Sequence, residues 1–203
     1  MTQHAPTPDA EVLAEPMRSR WSPRILDEDH VLADDDLSRL LEAARWAPSY
    51  GNTQPWRHLV LRRGGPGHTV LVAHLTRGNS WWVPRASAVL LTAVQVRPDP
   101  QGNDVKDPDF ARYDAGQAAA HLTLEARALG LHAHQFAGYD RAAVARELGV
   151  PGHLELMAGI AVGVLGDPAT AEERDREREE RPRTRRPLAE SVHVERWGDP
   201  WPG

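Results

Sequence analysis

A nearly unbroken apolar run from Ala86 to Val96, rich in valine and leucine, constrains the fold of this chain more than any other stretch. Only Ser87, Thr92 and Gln95 interrupt it, and no run of about 18 apolar residues exists anywhere, so it reads as a buried central strand and not as a membrane span. The segments around it must then supply cover. Leu37, Leu40, Leu41 and Ala44 recur at helical spacing behind Asp34-Asp35-Asp36, which offers N-caps and negative charge at a helix start; Pro48 ends that helix. Arg57 to Arg62 alternates like a strand and stops at the turn Gly64-Gly65-Pro66-Gly67.

Further along, Thr69 to Leu75 reads as a short helix and Pro98 to Pro108 as a polar loop. Tyr113 to Leu129 has small or apolar residues on most faces and ends at Gly130, which predicts a buried helix. Leu131 to Phe136 and Leu156 to Val164 suit strands, and Arg141 to Leu148 a helix closed by Gly149. Residues 1–16, with three prolines, read as a loose lead-in to one domain over 17–203. Glu172 to Arg186 alternates acids with arginines and reads as a solvated helix or linker; its last part, up to Leu188, sets cations in an extended strip. Helices among a few apolar strands make a mixed α/β domain.

Composition narrows the function. With no cysteine, disulfides, thiolate metal sites and cysteine nucleophiles are excluded. A net charge of −5 gives no nucleic-acid footprint. The polar, acidic start lacks a signal pattern, so a cytoplasmic protein without membrane association is the expectation. Lys106 is the only lysine, so arginine carries the fixed positive charge, and Trp21, Trp56, Trp81 and Trp82 lie beside polar loop residues.

The stretch Ala47-Pro48-Ser49-Tyr50-Gly51-Asn52-Thr53-Gln54-Pro55-Trp56 makes a rigid, polar, non-helical loop able to present backbone N–H groups and two carboxamides to a flat heteroaromatic ligand. Arg18, Arg20 and Arg24, with Ser19 and Ser22 between them, are suited to phosphate, and more so if Arg183 and Arg185 converge on the same anion. His132-Ala133-His134 puts two imidazoles on one strand face, but nothing completes a ligand set and no metal site is expected. Ser49 has no GxSxG elbow. No P-loop and no GxGxxG occurs, and Gly64 to Gly67 lacks both a Lys-Ser/Thr pair and a following helix start, so a Rossmann-type grip on a dinucleotide is excluded.

Taken in order, Arg20-Trp21-Ser22-Pro23-Arg24, the loop Ala47 to Trp56, Gly78-Asn79-Ser80-Trp81, Asp114-Ala115-Gly116-Gln117-Ala118, Ala128-Leu129-Gly130-Leu131, Gln135 to Asp140, Gly163 to Pro168 and Arg185-Arg186-Pro187-Leu188 resemble the FMN-dependent nitroreductase family over most of the chain. The resemblance implies an α+β subunit with a central, mostly antiparallel sheet flanked by helices, and a C-terminal extension wrapping the partner subunit of a homodimer. It implies FMN at two interface sites. Arg20, Ser22 and Arg24, the main chain of Trp21, and Arg183 and Arg185 would hold the phosphate and ribityl chain. Asn79 would meet the ring edge, and Gln135, Phe136, Ala137 and Gly138 would lie over one face or edge. Pro48, Ser49, Tyr50, Asn52 and Gln54 would come from the partner.

The residues suit that assignment. Four arginine forks would neutralise a flavin phosphate at any ordinary pH, and a site whose chemistry is carried by the flavin needs no nucleophile or side-chain base. Hydride would pass from NADH or NADPH to FMN and then to a nitroaromatic, quinone or similar small-molecule acceptor in the same cleft, which implies ping-pong kinetics. Three positions depart from the family's pattern: Trp21 stands where many members carry a second cation or polar residue, Trp82 where some carry a lysine near the flavin's polar edge, and Ala137 where several have glutamate. They leave open a second reading, a flavin-binding protein without nicotinamide-driven turnover: an oxidase on a tailored metabolite, a flavin-fragmenting enzyme or a storage protein.

Overall fold

The computed structural model describes residues 10–105 and 107–202; most of the lead-in (1–9) and Lys106 lie outside the described residues. Strand β2 (Ala88–Gln95) is buried at every position and sits inside a four-stranded sheet of order β1-β2-β4-β3, every pair antiparallel. Its neighbours are β1 (Trp56–Arg62) and β4 (Leu154–Gly163); β3 (His132–Phe136) forms the far edge. The register between β2 and β4 shifts between Leu91 and Ala93, at Thr92.

Both faces of the sheet are covered. On one, α1 (Asp34–Arg45) and α3 (Pro108–Ala128) bury Leu37, Leu40 and Leu122 against Leu90, Val94 and Ile160. The alanines Ala111, Ala115, Ala118, Ala119 and Ala126 let α3 lie close to its neighbours. On the other face, α2 (Pro66–Ala73), the turn Val83–Arg85 and α4 (Arg141–Glu147) bury Leu71, Trp82, Val83 and Val144 against Val89, Leu91 and Phe136. A last short helix, α5 (Glu173–Glu179), follows the sheet. Among the described residues no helix is long and apolar enough to cross a membrane.

Four sequence expectations are corrected. The cap of α1 is Ala33, with no side-chain bond, and the three aspartates occupy the first helical turn, where their charge opposes the dipole's positive end. Helix α2 starts at Pro66, inside the glycine-rich turn, because proline at the first helical position loses no bond there. Helix α3 starts at Pro108, since the Asp107 carboxylate accepts from the N–H groups of Asp109 and Phe110. Nor is α3 buried on most faces: Phe110, Tyr113, Gly116, Ala120 and His121 form an exposed stripe. At its other end Gly130, at φ +78°, supplies the left-handed residue that stops the helix, as expected.

Candidate functional site

The arginine-rich segment Arg18 to Arg24 lies beyond the open edge of β3. Ser19 Oγ accepts from Arg127 Nε at 2.9 Å, near the C-terminus of α3, and Pro23 O accepts from His134 Nδ1 at 2.8 Å. The C-terminal strip returns to the same place. Arg183 donates through Nη1 to the carbonyl of Arg20 and through Nη2 to that of Arg18, the latter at 3.3 Å. Its Nε is buried with no partner among the described residues. Burial lowers the pKa of Arg20, and the guanidinium groups of Arg185 and Arg183 lower it further. Arg20 and, more than 160 residues further along the chain, Arg183 and Arg185 thus crowd together, the convergence that a phosphate site needs.

Beside them opens a cleft of about 470 Å³ lined by Trp21, Ser22, Arg24, His134 and Arg183, and closed by Arg178, Glu179 and Arg181 from α5 and the residues after it. Glu179 accepts from the backbone N–H of Arg24 at 2.5 Å, and burial raises its pKa. Sequence reasoning missed this contribution, having read Glu172 to Arg186 as solvated. The available signal was Asp175 and Glu179 at i, i+4 behind the apolar Ala171: Asp175 is only 2% exposed.

At the other end of β3 a compact polar knot forms. The carbonyl of Gly138 accepts from Thr76 N, Thr76 Oγ1 and Asn79 Nδ2, each at 3.0 Å. Trp82 Nε1 donates to Asn79 Oδ1 at 3.2 Å, so the amide of Asn79 has one fixed orientation, with one N–H left over. Trp82 is fully buried and its ring stacks on His134, with centroids 4.2 Å apart. It therefore does not stand at an open ligand edge; it is core, and its role is to orient Asn79. Phe136 is likewise buried, packed against Gly159, where a Cβ has no room, so only its main chain is available to a ligand. Gln135 donates to Thr123 Oγ1 at 2.9 Å, and Ala137 is exposed.

The loop Pro48 to Gln54 lies elsewhere. It contains a single turn, Tyr50–Asn52, with Gly51, Asn52 and Gln54 at positive φ, and is braced internally by Gln54 N on Ser49 Oγ (3.0 Å) and Gln54 Nε2 on Asn52 Oδ1 (3.2 Å). Buried Asp114 accepts from Tyr50 N at 2.8 Å and so ties the loop to the start of α3. The arginine segment is tied to Arg127 near its end, about 20 Å further along the helix axis. The loop also precedes β1, while the arginines adjoin β3, about 14 Å away across the sheet. Within one chain the two halves of the expected site are apart.

Comparison with known proteins agrees with this architecture. The family model described as "Nitroreductase family" matches residues 17–66 and 67–164. The chain belongs to the nitroreductase family. It is 40% identical over 152 residues to an "Uncharacterized 15.4 kDa protein in ask 5'region" of Mycolicibacterium smegmatis, covering 71% of this chain and 99% of that protein. It is 32% identical over 135 residues to a "Putative NADH dehydrogenase/NAD(P)H nitroreductase" of Streptomyces coelicolor, covering 59% of this chain and 66% of that protein. Among solved structures it is similar to an "oxidoreductase containing FMN" (31% identity, TM-score 0.80, 89% of this chain and 90% of that one). A second similar structure is a "putative nitroreductase in complex with FMN" from Desulfovibrio desulfuricans (29% identity, TM-score 0.71, 89% and 95%). Like these, this nitroreductase-family chain is an α+β protein built on an antiparallel sheet.

Proposed function

We propose that this oxidoreductase of the nitroreductase family binds FMN at the arginine cluster and carries reducing equivalents from NADH or NADPH to a small-molecule acceptor, a nitroaromatic, quinone or related compound. The convergence of Arg20, Arg183 and Arg185 beside Arg24 carries the reading. Their mutual repulsion and the Nε of Arg183, buried with no partner among the described residues, support a cluster short of an anion. A phosphate monoester, close to a dianion with three acceptor oxygens, fits that need. The two similar structures named for FMN support the choice of flavin, and the Streptomyces coelicolor relative's name supports a nicotinamide donor.

In this reading Ser22 and the main chain of Trp21 join the arginines at the phosphate and ribityl chain. The main chain of Gln135 and Phe136, at the end of edge strand β3, and of Ala137 and Gly138 just after it lines the ring; among the described strands β3 pairs only with β4. Asn79 offers its remaining N–H to the ring's polar edge. Bound FMN supplies two-electron transfer, so that R–NO₂ + NAD(P)H + H⁺ yields R–NO + NAD(P)⁺ + H₂O, or a quinone yields its hydroquinone. The chain's own work is to bind, orient and desolvate.

The loop Pro48 to Gln54 reaches the ring from a second copy. Support for a homodimer is the separation of loop and arginines within one chain, together with the exposed stripe Phe110, Tyr113, Gly116, Ala120 and His121 between them. Two such stripes packed antiparallel bring each loop to the other chain's arginines. A single unit over 17–203 and a cytoplasmic location complete the reading.

The test is anaerobic. The purified protein with one equivalent of FMN is expected to lose its flavin absorbance on adding NADH or NADPH and to regain it on adding a nitroaromatic or quinone, with parallel-line steady-state kinetics. Failure to take up FMN overturns the reading. Uptake without reduction by either nicotinamide favours a flavin protein with another donor.

A further inference from the structure

A second hollow, of about 260 Å³, lies where α3 crosses the sheet near the start of β4. Its walls are mostly small or apolar, Ala115, Ala119, Met157 and Ala158 among them, and Gln135 and Ala137 also line it, so it adjoins the segment read above as the flavin's. The volume falls just below the range of about 300–1,000 Å³ usual for drug-sized ligands, which suits one substituted ring and not a whole flavin nucleotide.

Two guanidinium groups, of Arg112 and Arg141, also line this apolar hollow. They are not equivalent. Arg112 is held by Glu155 at 2.8 Å and Asp109 at 3.0 Å, and the bond to Glu155 chiefly raises its pKa. Arg141, exposed at the start of α4, has no ion pair among the described residues. Neither Glu155 nor Asp109 lines the hollow. An apolar floor with one neutralised and one uncompensated arginine is complementary to a flat ring bearing a single negative charge.

We propose that this hollow is the acceptor subsite and that Arg141 selects aromatic acceptors carrying a carboxylate or similar anion over neutral ones. The fork of Arg141 meets the anionic group while the ring lies on Ala115, Ala119 and Met157, and Arg112, fixed by Glu155, forms the second side of the mouth. The proposal rests on the flavin reading for the hollow's role in turnover, but binding of the anion does not depend on it.

Two measurements separate these parts. In calorimetric titrations of the purified protein, after incubation with FMN, benzoate is expected to bind about tenfold more tightly than benzamide, on the scale of one charge-assisted hydrogen bond. Arg141→Gln removes that preference and Arg141→Lys retains most of it. In turnover, the ratio of kcat/KM for 4-nitrobenzoate to that for its methyl ester falls about tenfold in Arg141→Gln. Equal binding of benzoate and benzamide, or a preference that survives Arg141→Gln, overturns the proposal. So does a variant whose only change is a raised KM for NADH or NADPH, which would assign Arg141 to the nicotinamide. A benzoate preference lost with Arg141, in a protein that takes up no FMN, supports the subsite while removing the flavin reading.

Discussion

His134 forms one wall of the cationic cleft, stacked on buried Trp82 and donating from Nδ1 to Pro23 O. Burial lowers its pKa from 6.5 to about 4; the hydrogen bond to Pro23 opposes this and the Arg24 cation adds to it. The folded chain therefore holds a neutral imidazole where an unfolded chain takes up a proton. Since the folded value lies below the unfolded one, the unfolded state binds more protons between them, and stability is lost as pH falls from 6.5 toward 4. Between pH 7 and pH 5 that loss is about 2 kcal/mol from this one site.

Urea unfolding of flavin-free wild type and His134→Gln at both pH values, at one protein concentration, isolates the contribution. Glutamine can still donate to Pro23 O but gives up the ring stack, at a cost of about 1 kcal/mol at either pH. The variant is thus the weaker protein at pH 7 and the stronger at pH 5. His58, half-buried in β1 and also lowered to about 4 by desolvation, is present in both proteins and cancels. An identical pH 7 to pH 5 loss in wild type and variant refutes the half-buried, neutral assignment of His134.

Two further substitutions test the arginine cluster and the polar knot. Arg20→Met keeps the aliphatic stem but removes the fork, so FMN affinity measured by fluorescence quenching should fall by about 1.5–3 kcal/mol. Unfolding of the flavin-free variant should occur at no lower urea concentration, since repulsion from Arg183 and Arg185 is relieved. In Gly138→Ala the new Cβ would sit 2.5 Å from Thr76 Oγ1 and 2.6 Å from Asn79 Nδ2, breaking the knot that orients Asn79. About 1–3 kcal/mol of stability should be lost, together with FMN affinity, in denaturant and binding titrations.

The sheet and the helices that cover it were legible because burial leaves periodic traces: the run at β2, the spacing of Leu37, Leu40 and Ala44, and the glycines closing α3 and α4. Helix starts were less so. Asp107-Pro108 is a cap followed by a first-turn proline, but inside a polar stretch it looks like loop until Asp109 and Phe110 are seen bonded to it. At the site, residue types and order singled out the arginines, while their convergence depends on a contact between Arg20 and Arg183 that no local pattern encodes. Trp82 misleads for a related reason. Beside polar neighbours it reads as a rim residue, yet its indole is buried and acts through Asn79. Glu179 was hidden by composition, since an acid among arginines reads as solvated whichever way its helix is turned.

In the proposed dimer, one flavin is held by the arginines of one chain and the Pro48 to Gln54 loop of another. Mixing two defective proteins tests it: Arg20→Met/Arg185→Met, lacking cations, and Asn52→Ala, altered in the loop. Neither homodimer should bind FMN at wild-type affinity. If sites are shared, each mixed dimer contains one intact site and one doubly altered site, and tagged, purified heterodimers should bind one FMN with wild-type affinity. If each chain builds its own site, the heterodimers will contain only altered sites, and the absence of any wild-type-affinity FMN would contradict the account.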